Sequence, residues 1–327
     1  MNRVMPQKEI SANILDRIEK LEEKFEAMGQ DLASYLDGLL YADYLKYWEY
    51  IHLDTLLSLQ HPKTAFPDES IFIIYHQITE LYFKLIIKEI DQAIDMSLAN
   101  NAEMLMRLKR INNYISHLSN SFSIMELGME REQFLKFRMA LLPASGFQSA
   151  QYRIIELKCT DLVNLLKEED RAQIKGDETQ EELLDVVYWK SGATELSTGK
   201  KTLTLKHFEE KYSETFLQLT EKHKANNLLR VWQNQYKAGA EAEKIKNELR
   251  KLDSLLNIHW RLAHYKSAVK YLQRDPVDIA ATGGTNWQKY LPPMFQRIIF
   301  FPELWNEQER EEWGKAWVLE QLGIPKP

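Results

Sequence analysis

The chain has 327 residues, 44% hydrophobic and 28% charged, the balance of a folded protein with a large core rather than of a disordered one. Its 48 acidic and 42 basic residues give a net charge of −6, which argues against a general polyanion binder, so no nucleic-acid partner is expected. Cys159 is the only cysteine, which excludes an intramolecular disulfide, a cysteine-rich zinc site and an iron–sulfur cluster held by the chain's own thiolates, and suits a reducing, cytoplasmic setting.

The N-terminal stretch from Met1 to Gly29 is charged throughout, with Ile14, Ile18, Leu21 and Phe25 making a narrow apolar stripe on a helix suited to packing against a partner subunit. That stretch carries no signal-peptide apolar core, and no later stretch reaches about 18 uncharged apolar residues. No membrane association is therefore expected. Pro67 to Asp91 reads as a helix because Phe72, His76, Thr79, Phe83, Ile87 and Ile90 recur at three- and four-residue steps, with Pro67 as an extended start and Asp68 as the N-cap. Phe72 and His76 project from one face, where a ring and an imidazole either line a pocket for a flat substrate or form part of an ordinary core.

Two amphipathic helices follow, at Met104 to Ser121 and Gln148 to Leu166. Between them, in REQFLKFRMALLPASGFQSAQYR, Phe134 and Arg138 stand one helical turn apart. They place a ring and a guanidinium on one wall, suited either to a carboxylate or to a salt bridge with a neighbouring helix. The texture then changes over residues 167–201, dense in charge with scattered Gly and Ser; this reads as an excursion from the core containing a short helix around Glu181 to Trp189.

From His207 helical spacing resumes through about Leu272, with a break near 237–239. Leu256, Trp260, His264, Ala268 and Tyr271 share one face of the last helix. A lone histidine there holds no transition metal by itself but suffices as the axial ligand of haem, whose porphyrin supplies four nitrogens; His259 is a rival for that role. The loop Ala281-Thr282-Gly283-Gly284-Thr285 suits either a close approach to a ligand or a simple turn, and it has no phosphate-cradle pattern. The expected fold class is all-α: an N-terminal helical arm, residues 1–40, and one large helical domain, residues 41–327, with the excursion at 167–201.

Taken together, YWEYIHLDTLLSLQ, FIIYHQITELYFK, LLPASGFQSAQYR, WRLAH and TGG resemble, in order, the motifs of the tryptophan 2,3-dioxygenase family, over roughly Tyr47 to Glu156 and Asp253 to Pro293. The departures are Trp48 between the two tyrosines, a longer interval from His264 to Thr282, and the continuation Thr285-Asn286-Trp287. The resemblance implies a helical dioxygenase carrying haem b, ferrous when active, that inserts O2 across indole C2–C3 of L-tryptophan to give N-formylkynurenine, the first step of the kynurenine pathway. It implies His264 as the iron's axial ligand and His76 as the distal catalytic histidine that meets the indole nitrogen. It further implies Phe72 and Phe134 as pocket walls, Arg138 as the carboxylate clamp, Ser145 as a haem-pocket hydroxyl and Thr282 as a contact to the substrate's amino-acid end. Tyr47 and Tyr50 would reach a neighbouring subunit's site in a homo-oligomer, in this family a tetramer. Two alternatives stand beside this reading: a related haem oxygenase for another indole, and a non-catalytic haem-binding sensor or scaffold.

Overall fold

The computed structural model describes residues 10–42, 46–95, 100–141, 148–193, 200–273 and 293–315. Among them every regular element is helical, and Leu166 and Val187 form an antiparallel bridge. The all-α expectation holds. The chain separates into two compact units, Met1–Leu59 and Gln60–Pro327.

In the first unit, α1 (Ala12–Ala27) carries the expected stripe but buries none of it, and Phe25 meets Tyr35 of α2 (Leu32–Leu40) at 5.1 Å between ring centroids. Asp31 caps α2 by accepting from the backbone of Ser34 at 2.8 Å and of Ala33 at 3.3 Å. Two short helices follow, α3 (Tyr47–Tyr50) and α4 (Leu53–Leu57). On α3, Tyr47 is 70% and Tyr50 74% exposed.

The second unit is built around α5 (Asp68–Ile94), which lays Tyr75, Thr79, Phe83, Ile86 and Ile90 against α6 (Asn101–Ser121). Leu108, Ile111, Ile115 and Leu118 of α6 are wholly buried. By length and composition α5 is the one helix among the described residues able to cross a bilayer. Its opposite face exposes Ile74, Ile78, Leu81 and Leu85, again at helical spacing. The start of α5 departs from expectation. Pro67 is not extended (φ −57°, ψ −35°), and Asp68 lies inside the helix, where its carboxylate accepts from the Glu130 backbone at 2.6 Å. Glu69, wholly buried, accepts from the backbones of Lys63 and Thr64, each at 2.7 Å. These acids anchor neighbouring segments instead of capping their own helix.

After α6 come α7 (Ser123–Gly128) and α8 (Arg131–Phe137), the latter running into a 3-10 turn, Arg138–Leu141. The helix expected over 148–166 is shorter: α9 spans Ala150–Cys159 and stops where Thr160 turns extended (φ −151°, ψ 171°) and its hydroxyl donates to the Phe300 carbonyl at 2.6 Å. A tertiary partner ends that helix, which periodicity has no means of showing.

Helices α10 (Glu168–Arg171), α11 (Gln180–Asp185) and α12 (Tyr188–Gly192) occupy the segment read as an excursion. That reading is corrected where the segment is described, because Leu183, Leu184, Val187, Tyr188 and Trp189 are buried. Trp189 packs edge-on against Phe208 at 5.6 Å and Phe216 at 6.2 Å, both on α13 (Leu203–His223). The charged residues around it mask an apolar set too short to show a period.

Helix α14 (Leu228–Val231) leads through a π-helical turn to the expected break, where Gly239 adopts φ +101°. Helix α15 (Ala242–Ser254) packs on α6, and Asn112 donates to the Glu248 carboxylate at 2.7 Å and carbonyl at 2.9 Å. A second π-helical turn, Leu255–Trp260, joins α15 to α16 (Arg261–Leu272).

Asp253, wholly buried at the end of α15, accepts from the backbones of Phe300 at 3.0 Å and Phe301 at 3.1 Å, from Asn257 at 2.8 Å and from the Trp305 indole at 3.0 Å. Burial outweighs these donors and raises its pKa from 3.8 to about 6. A raised folded pKa gives stability that is complete below 3.8 and lost as the pH climbs through about 6. The wild type's stability relative to Asp253→Asn, read from urea midpoints, is therefore expected to fall between pH 4 and 7 by up to about 3 kcal/mol. A difference independent of pH would contradict this assignment.

Candidate active site

Helix α5 supplies the first wall. Phe72 and His76, one turn apart, bring their rings to 4.1 Å, and His76 Nδ1 lies 2.7 Å from the Phe72 carbonyl. A carbonyl only accepts, so Nδ1 carries the hydrogen and Nε2 keeps its lone pair. His76 keeps exposed area although neighbouring protein atoms crowd its ring. Burial lowers its pKa below the ordinary 6.5, against the raising effects of the Phe72 carbonyl and Glu80, so the ring is neutral at physiological pH.

The second wall comes from α8 and its 3-10 extension. Phe134 lies 6.3 Å from Phe72 and 4.6 Å from Tyr271 of α16. The wholly buried Phe137 sits between, 5.7 Å from Phe72 and 5.5 Å from Phe134. The Tyr271 hydroxyl donates to the carbonyl of Met125 and lies 3.2 Å from that of Met129, which ties α16 to the α7–α8 junction. Arg138 follows directly and is only 5% exposed, and burial lowers its pKa from 12.5. Guanidinium groups are rarely buried unless they meet an anion.

Helix α16 supplies the third wall. His264 is half-buried, stacks on Phe122 at 5.9 Å with planes 24° apart, and makes no hydrogen bond to the described residues. Its pKa is pushed down to about 4, by burial first and then by charge on His76. The effect of His76 means that the two imidazoles are near enough for their charges to interact. His259 lies within the π-helical turn, and burial lowers its pKa from 6.5.

Buried polar links fix these walls, and the sequence reading missed most of them. Gln151 at the start of α9 donates to the carbonyl and carboxylate of Glu80, each at 2.8 Å, so α9 is stapled to the His76 helix. Glu156 accepts from Arg153 at 2.7 Å, from the Tyr188 hydroxyl at 2.5 Å and from Arg261 at 3.4 Å. Arg261 also donates to Tyr188 at 2.8 Å and Asn257 at 3.2 Å, extending the network to Asp253. Three residues before His264, the helix is thereby held by paired buried charges, which confer geometry more than net stability. The signal was present in QYR–IIE and WRLAH, whose polar members are placed at helical spacing.

Thr282 and Ser145 lie outside the described residues, and Tyr47 and Tyr50 belong to the first unit. Among the described residues no group of three or more His, Cys, Asp or Glu side chains could hold a metal ion. The residues present suit haem instead: His264 is a neutral imidazole with no competing hydrogen bond to the described residues, beside the ring of Phe122. A separate cavity of about 370 Å³, lined in part by Leu157, Asp161, Leu183 and His223, shares no residue with this cluster.

The sequence model of the family described as tryptophan 2,3-dioxygenase matches residues 36–229, more than half the chain. A protein named tryptophan 2,3-dioxygenase from Ruegeria sp. (strain TM1040) is 40% identical over 117 residues, 36% of this chain and 42% of that protein. Namesakes from Ruegeria pomeroyi and Bacillus anthracis are 29% and 28% identical, covering 81% and 80% of this chain and 93% and 91% of their own. His264 lies beyond the family-matched stretch, so its candidacy stands on the geometry above.

Proposed function

Since the chain belongs to the tryptophan 2,3-dioxygenase family, we propose that it inserts O2 across the indole C2–C3 bond of L-tryptophan, both oxygen atoms ending in N-formylkynurenine and no other reductant being consumed. The observation that carries this reading is the aromatic cluster that joins the His76 and His264 helices, Phe72–His76, Phe72–Phe134 and Phe134–Tyr271 on one side and Phe122–His264 on the other, with Arg138 buried directly after Phe137.

His264 would hold the haem iron. When bound, haem b would supply the chemistry that activates O2. His76, protonated on Nδ1, offers Nε2 to the indole N–H. Its lowered pKa makes the imidazolium costly in this setting, so the residue orients the indole as an acceptor rather than taking the proton. Phe72 and Phe134, in contact with each other, would form one wall against the ring, and the buried Arg138 would take the carboxylate in bidentate fashion. Thr282 would complete the amino-acid end and Ser145 the haem pocket. Orientation is the protein's main contribution, because holding the indole against activated oxygen replaces a bimolecular encounter by a positioned one.

The exposed aliphatic stripe on α5 and the exposed Tyr47 and Tyr50 support a homo-oligomer, a tetramer as in this family, since contiguous apolar surface of this kind ordinarily meets another chain. A related oxygenase for another indole is the second reading. Turnover under O2 separates the two: L-tryptophan is consumed, and indole, which gives Arg138 nothing to hold, is not. Preferential consumption of indole would select the second reading.

A further inference from the structure

Ligating histidines are generally oriented through their second nitrogen, by a hydrogen bond to a carboxylate, carbonyl or water. His264 has no such bond among the described residues. What it has is a ring: Phe122, 6% exposed at the junction of α6 and α7, stacked at 5.9 Å and 24°. The same ring lies 4.6 Å from Trp260, exactly one turn before His264, so Phe122 touches two successive positions on one face of the helix. Its own position is set from both sides, by Trp260 braced edge-on against Phe83 at 5.8 Å and by Tyr75 at 5.7 Å. Tyr75 in turn stands edge-on to His76 at 5.7 Å.

On the strength of the haem reading above, we infer that Phe122 is a positioning residue of the iron ligand: its stacked ring sets the plane of the His264 imidazole. A ring stacked in offset fashion restricts tilt while leaving both imidazole nitrogens free of the protein. Through Tyr75 the same ring also fixes the spacing between the helix that meets the substrate and the helix that meets the iron.

The test uses the full chain reconstituted with haem and reduced without O2, read by the iron–histidine stretching band in resonance Raman and by the rate of haem transfer to an excess of a haem-accepting apoprotein. Phe122→Leu, which keeps an apolar side chain but removes the ring, is expected to broaden or shift the band and to release haem about two- to tenfold faster. Phe122→Tyr restores both. If the leucine variant fails to fold, Phe122→Met carries the same expectation. A Phe122→Leu protein with the wild-type band and release rate would overturn the inference. Failure of the haem reading is distinguishable, because the wild type itself would then show no iron–histidine band.

Discussion

Replacing His264 with alanine is expected to abolish histidine-ligated haem while leaving the protein folded. The imidazole is half-buried and makes no hydrogen bond to the described residues, so its removal costs the fold little beyond one stacking contact. On the proposed reading it would cost the haem its single protein ligand, and no other cluster of metal-binding side chains stands ready among the described residues. Loss of an outer-shell partner weakens metal sites by about 10- to 100-fold, and loss of the ligand itself should exceed about 100-fold. Unchanged circular dichroism with loss of the histidine-type Soret spectrum is the expected pair of results. His259→Ala, five residues away but on a different face, should retain that spectrum; the reverse pattern would exchange the two roles.

The second large effect falls on Arg138. Its guanidinium is 5% exposed, where a charge-assisted hydrogen bond contributes about 1.5–3 kcal/mol and a bidentate pair about twice that. Arg138→Leu should therefore lower kcat/KM for L-tryptophan by at least about 100-fold, with haem binding intact. Arg138→Lys should recover only part of the loss, since an ammonium keeps the charge without the planar fork. If the leucine variant kept a kcat/KM within a few-fold of wild type, Arg138 would be a structural arginine and the carboxylate would be bound elsewhere.

Periodicity was sufficient for the long helices and for which side of each is buried. It placed Phe72 with His76 and His264 with Tyr271, because spacing on a helix is set by backbone geometry alone. It did not show where α9 ends, because Thr160 stops that helix by bonding to Phe300, a partner 140 positions away. Nor did it show that Asp68 and Glu69 serve other segments, or that Trp189 enters the core from a charged stretch. The π-helical turn at Leu255–Trp260, which alters the helical phase just before His264, was likewise not legible from spacing. Phe122 carried no signal at all: its stretch has no motif, and its importance lies in two contacts made to another helix.

The buried polar staples are intermediate cases. Glu80, Gln151, Glu156 and Arg261 all fall within the stretches that carried the family resemblance, yet none was assigned a role there. They hold the walls at fixed spacing rather than touching what lies between them. A site that works by orientation depends on such residues as much as on those facing the ligand.

The most direct test of the account is the fate of oxygen in a single turnover. Protein loaded with haem and reduced without air is given L-tryptophan, then isotopically labelled O2, and the product is identified by mass. The account predicts N-formylkynurenine carrying both labelled atoms, one O2 consumed per tryptophan; intact haem with no product, or a product carrying one labelled atom, would contradict it.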